Sequence, residues 1–99
     1  MANLQVVAVM TAKSGSVKLV GEALQALVEP ARSAAGCNSY QLFTSAVDPA
    51  TFITVETWSS LEELNAYYQS PQVQQALSAA SDHMAQAPAI HPLIPVNTS

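Results

Sequence analysis

Leu4-Gln5-Val6-Val7-Ala8-Val9-Met10-Thr11 is the stretch on which the fold turns. Valines dominate it, and side chains of a strand point alternately to opposite faces. Leu4, Val6, Ala8 and Met10 share one face, while Val7 and Val9 share the other. A strand apolar on both faces lies inside a sheet and is covered twice. The rest of the chain must supply both covers.

Lys13-Ser14-Gly15-Ser16 is turn chemistry, with serines placed to cap a helix. Val17, Val20, Leu24, Leu27, Val28 and Ala31 then recur at helical spacing. Pro30 removes a hydrogen bond and clashes with the preceding turn, so a kink or restart is expected near Glu29–Pro30. Gly36 fits a left-handed helix end. Tyr40–Ser45 and Phe52–Trp58 read as two strands of a hairpin turning at Asp48-Pro49. Ser59 and Ser60 stand three residues before Glu62 and Glu63, which makes two overlapping capping boxes for a second helix. Ser70-Pro71 opens a further helical segment, Val73 to about Gln86, with Val73, Leu77, Ala80 and Met84 on one face. Pro88 stops it, and Ile90–Val96 reads as a last strand. Pro92 and Pro95 lack donors, so that strand belongs at an edge or crosses to another subunit.

The order β-α-β-β-α-β is the split, ferredoxin-like plan of an α+β fold. It predicts one domain over residues 1–99, with a four-stranded antiparallel sheet and helices on one face. The other face is then apolar and bare, and a homodimer joined sheet to sheet covers it. Apolar residues make up 49% of the chain and charged ones only 10%, which is a heavy apolar load for so short a sequence.

The formal charge of −4, with only Lys13, Lys18 and Arg32 basic, excludes a phosphate-neutralising nucleic-acid surface. It also disfavours anionic membrane. The apolar run Val6–Met10 is far too short to span a bilayer. No secretory leader is recognised, so the cytoplasm is the expected location. Cys37 is alone, and His83 and His91 have no acidic or cysteine neighbour at ligand spacing, so neither a disulfide nor a metal site is expected.

Glu56 is the carboxylate inside a predicted strand, on the face of Phe52, Thr54 and Trp58. Buried, it needs a partner, for which Arg32 or a backbone cap is available; both residues are read as structural. Trp58 is core, or one wall of an aromatic pocket. Leu61, Leu64 and Tyr68 share a stripe, which makes Tyr68 core and leaves Tyr67 at the flank as the site candidate. Its phenol is a poor base at neutral pH but can orient a substrate hydroxyl. His83, beside the core stripe of the last helix, has the proton affinity of a general base. Tyr40 is a candidate cavity wall, and Cys37 reads as packing.

The ordered set Leu27-x-x-Pro30-x-Arg32-x-x-x-Gly36-Cys37-x-x-Tyr40-x-Leu42, then Pro49, Phe52 and Glu56-x-Trp58-Ser59, resembles the antibiotic biosynthesis monooxygenase family. Gly15 and Leu64 also fit, and the resemblance runs from about Leu4 to Val96. It implies a dimeric α+β barrel with a pocket between sheet and helices in each protomer. It implies oxidation of phenols, quinols or anthrone-like polyketides by molecular oxygen without flavin, haem or metal, so that no cofactor is expected. Members often carry histidine eleven residues after the glutamate and again five further on; Tyr67 and Gln72 stand there in this chain. Ala34 and Ala35 replace an acidic residue often found before Gly36. The expected site therefore holds Trp58, Tyr40 and Gln72 against a small aromatic substrate, with Tyr67 orienting it and His83 taking its proton. A non-catalytic barrel that binds a small hydrophobic ligand or a protein partner is the competing reading.

Overall fold

The computed structural model describes residues 3–97. Four strands, β1 (Leu4–Thr11), β2 (Cys37–Thr44), β3 (Thr51–Trp58) and β4 (Ala89–Leu93), form one sheet in the order β2-β3-β1-β4. All its pairings are antiparallel. The helices are α1 (Val17–Gln25), α2 (Val28–Arg32), α3 (Leu61–Tyr68) and α4 (Pro71–Ala80). This is the α+β, ferredoxin-like arrangement expected from the order of elements, with β1 inside the sheet and β4 at an edge. No helix among the described residues is long and apolar enough to cross a membrane.

Strand alternation divides the sheet into two unlike faces. Val6, Ala8 and Met10 of β1 and Phe52, Thr54, Glu56 and Trp58 of β3 are buried on the helix-covered face. The pairings Val6↔Glu56, Ala8↔Thr54 and Met10↔Phe52 put them side by side. The opposite face carries Val7, Val9, Ile53, Phe43, Val55 and Leu93; the last three are 46%, 44% and 41% exposed. No element among the described residues covers that face.

Two apolar clusters fill the layer under the helices. One joins Val6, Tyr40 and Trp58 to Leu27, Val28, Ala31, Leu64, Tyr67 and Val73. The other joins Ala8, Met10, Ala12 and Phe52 to Val20, Leu24, Ala80 and Met84. Fully burying one such aliphatic side chain is worth about 1.5–3 kcal/mol. Thr54 and Glu56, between Phe52 and Trp58 on β3, form a polar seam between the clusters.

Several local outcomes differ from the sequence pattern for identifiable reasons. The first helix breaks at Ala26–Leu27, ahead of Pro30, because Pro30 has no N–H for the Ala26 carbonyl and its ring crowds that carbonyl. Ser16 precedes α1 without capping it; its hydroxyl is hydrogen-bonded to His83 Nδ1 at 3.1 Å instead. Only Ser60 caps the helix, with Glu63 N donating to Ser60 Oγ at 3.2 Å, while the Ser59 N–H is drawn to the Gly36 carbonyl at 2.8 Å. The last helix ends at Ala80, followed by a 3-10 turn over Ser81–His83, well short of Gln86. There the end of β1 captures the chain: Lys13 N donates to His83 O and Ala85 N to Thr11 O, both at 2.8 Å. The last strand stops at Leu93, leaving Ile94 and Val96 almost fully exposed.

Candidate functional site

The β3 residues on the covered face meet the end of α3. Gly36 makes the approach possible: at φ +83° it takes the left-handed conformation, and a side chain there would overlap Glu63. Leu64 and Tyr67, one turn apart, face the sheet, with Tyr68 beside them. Tyr67 is thus the more buried of the two tyrosines, at 6% exposed, whereas Tyr68 is half-buried. This reverses the stripe read from Leu61, Leu64 and Tyr68, since Leu61 is 52% exposed.

Glu56 is fully buried, yet no cation among the described residues reaches it. Arg32 lies over β2, where Nε donates to the Tyr40 carbonyl at 3.0 Å and Nη1 meets exposed Glu29 at 3.4 Å. An exposed pair of that kind contributes about 0–1 kcal/mol. Three uncharged donors serve Glu56 instead. Trp58 Nε1 donates to Oε1 at 2.8 Å, while Thr54 Oγ1 and Tyr68 OH donate to Oε2 at 2.6 and 2.8 Å. Three donors suit an ionised carboxylate, which only accepts. No buried side-chain polar atom among the described residues lacks a partner.

Burial first, and the Glu56 charge as a further cause, push the phenols upward, Tyr67 to about 12. Tyr40 and Tyr68 rise in the same direction, again chiefly by burial. Burial and then the Glu56 charge also raise the Cys37 thiol, the opposite of what a nucleophile needs. The sign for stability follows. A phenol whose folded pKa lies above its unfolded value near 10 contributes fully below pH 10 and loses that contribution as pH rises through about 12. Tyrosinate absorbance and far-ultraviolet circular dichroism are therefore expected to change together on alkaline titration. A tyrosine that ionises near pH 10 with the fold intact contradicts this.

Beside Tyr67, between α2 and the α3–α4 junction, lies a cleft of about 320 Å³. Ala34, Ala35, Glu63, Tyr67, Ser70 and Gln72 contribute to its wall, and Glu63 supplies the carboxyl group among its lining side chains. The small Ala34 and Ala35 leave the room. Of the residues expected at the site, Tyr67 and Gln72 meet here directly. Trp58 stands behind Tyr67 with ring centres 5.2 Å apart, and Tyr40 meets it edge-on at 6.3 Å. The Tyr67 hydroxyl donates to the Leu27 carbonyl at 3.4 Å. Trp58 lines no part of this cleft; Tyr68 and Leu77 pack on its cluster, while Met84 belongs to the other one.

His83 is not brought to this place. Trp58 pairs with Leu4, whereas His83 is bonded to Lys13; nine residues of extended chain separate those points, about 30 Å. Sequence reasoning missed Glu63 and Ser70. Both were visible as helix caps, but a cap becomes a cleft wall only once α2 lies against α3. A larger apolar cleft of about 540 Å³, between α1 and the β2–β3 hairpin, gathers none of the expected residues. No group of three potential metal ligands occurs among the described residues.

Solved structures with this fold include a crystal structure of an antibiotic biosynthesis monooxygenase, 23% identical, covering 95% of this chain and 99% of its own, at a TM-score of 0.86. Rv0793 from Mycobacterium tuberculosis is 21% identical over 99% of both chains, also at 0.86. PA3566 from Pseudomonas aeruginosa is 24% identical over 98% of this chain and 97% of its own, at 0.88. No curated protein matches at the sequence level. The family model described as antibiotic biosynthesis monooxygenase matches residues 4–79, and the chain belongs to that family.

Proposed function

We propose that this chain, one domain in a homodimer, is a cytoplasmic cofactor-independent monooxygenase of small aromatic, quinol or polyketide-like substrates. The observation that carries the reading is the α2–α3 cleft, small and mostly apolar, with Glu63, Ser70 and Gln72 as its polar groups beside the ring of Tyr67. A substrate methylene between two aromatic rings loses a proton to Glu63, and the resulting carbanion reduces oxygen. In the balanced reaction the methylene becomes a carbonyl, and the second oxygen atom leaves with both hydrogens as water. Gln72 and Ser70 hold substrate oxygens, Tyr67 and Trp58 back the ring, and neutral Tyr67 remains a donor. Glu63 takes the place that His83 held in the sequence reading.

An oxygen electrode with an anthrone and quinol panel tests the reading on purified, metal-free protein. Oxygen uptake with matching carbonyl product is expected. Glu63→Gln preserves the capping chemistry and is expected to lower kcat about 10²-fold or more, the usual worth of a general base. His83→Ala is expected to leave turnover unaltered. No uptake across the panel defeats the reading. The tight packing around Trp58 favours a second one, a dimeric barrel that binds a hydrophobic ligand in the cleft without turnover. Calorimetric binding of the same compounds without oxygen uptake identifies it.

A further inference from the structure

The sequence holds three tyrosines and one tryptophan, and all four meet in one cluster. Tyr67 is its hub, with ring centres 5.2 Å from Trp58, 5.1 Å from Tyr68 and 6.3 Å from Tyr40. Trp58 and Tyr68 aim their polar hydrogens at the carboxyl group of Glu56, each over 2.8 Å. Tyr67 donates only to a backbone carbonyl at 3.4 Å. A carbonyl accepts a hydrogen bond but does not take the proton, whereas a carboxylate does both. The distinction governs oxidation. An indole or phenol that loses an electron becomes strongly acidic, so its oxidation is far easier when a base in contact receives the proton. Two rings of the cluster have such a base, and the ring lining the cleft leads to both.

We infer that these rings and Glu56 form a proton-coupled electron donor behind the cleft. A one-electron oxidant in the cleft draws an electron through Tyr67 from Trp58 or Tyr68. The Nε1 or hydroxyl proton of that residue passes along its hydrogen bond to Glu56. The oxidant gains one electron, a neutral indolyl or phenoxyl radical remains, and the carboxylate becomes a neutral carboxyl. In the monooxygenase reading the oxidant is the oxygen radical left when the deprotonated substrate yields one electron to oxygen; on taking the cluster's electron and a proton from solvent it becomes hydroperoxide. The inference rests on that reading only for this natural source.

Flash oxidation supplies the oxidant independently. Native protein without substrate is mixed with photogenerated tris(bipyridyl)ruthenium(III) and followed by transient absorption and electron paramagnetic resonance. A neutral indolyl or phenoxyl radical is expected at neutral pH, forming more slowly in D₂O. In Glu56→Gln the indole signal is expected as the protonated radical cation, and in Trp58→Phe the radical is expected on Tyr68. If Glu56→Gln does not fold, the isotope comparison on the native chain decides. Equal rates in H₂O and D₂O with a protonated indole radical, or a radical resting on Tyr40, overturn the inference. A positive flash result without oxygen uptake on the quinol panel removes the monooxygenase reading and leaves the cluster standing.

Discussion

Val55→Asp is expected to convert the protein to monomers. Val55 lies on β3, inside the bare sheet face, with Val7 opposite on β1 and Gln41 opposite on β2. In the isolated chain it is 44% exposed, so a carboxylate there stays hydrated and costs the monomer little. Against a second sheet the same carboxylate is stripped of water. In the proposed homodimer a two-fold axis makes the patch self-complementary, so the change enters the interface twice. An uncompensated buried charge costs about 3–5 kcal/mol. Two of them weaken association by about 10⁴-fold or more. Sedimentation velocity is expected to show half the native mass for Val55→Asp. Val47→Asp, on the hairpin loop and 94% exposed, is expected to keep the native mass. A Val55→Asp protein that sediments like the native one places the contact between copies elsewhere.

The bare face of the sheet was legible in β1. A strand samples its two faces at every second residue, so eight residues suffice to show that both faces are apolar. The structure then assigns Val6, Ala8 and Met10 to the helices and leaves Val7 and Val9 bare. Helix α3 gives much less away. Eight residues make little more than two turns, and the stripes Leu61-Leu64-Tyr68 and Leu64-Tyr67 differ by a modest rotation about the axis. Packing on β3 chose the second stripe, and that turned Tyr68 toward Glu56. The position of His83 was illegible for another reason. Its helical pattern continued, yet backbone hydrogen bonds to the end of β1 closed the helix early and held His83 far from Trp58. The partners of Glu56 show the same limit. A buried carboxylate demands donors, and the sequence offered Arg32 as the obvious one. The fold supplied Thr54 and Trp58, two residues to either side on the same face of its own strand, and Tyr68, which only the packing of α3 brings to the carboxylate.

Trp58→Ala is expected to cost the most stability of any single truncation in the cluster. The residue is fully buried, and in the sheet it stands opposite Leu4 of β1 and Cys37 of β2. Removing a buried tryptophan side chain costs about 3–5 kcal/mol through lost transfer energy and the remaining cavity. It also strips Glu56 Oε1 of the donor at 2.8 Å, a further loss of about 1–3 kcal/mol for a buried acceptor left unserved. A domain with about 5–15 kcal/mol in hand loses much of its stability to that sum. Trp58→Phe separates the two contributions, because it keeps a ring against Tyr67 and removes only the N–H and part of the volume. Guanidinium unfolding followed by circular dichroism at fixed protein concentration is expected to order the midpoints as native, Trp58→Phe, Trp58→Ala, with the wider gap at the second step. Equal midpoints for the two variants mean that the hydrogen bond to Glu56 outweighs the packing of the ring. The apolar cluster behind the cleft would then depend on its polar seam, and Glu56→Leu, which removes the carboxyl and keeps the volume, would be more damaging than Trp58→Phe.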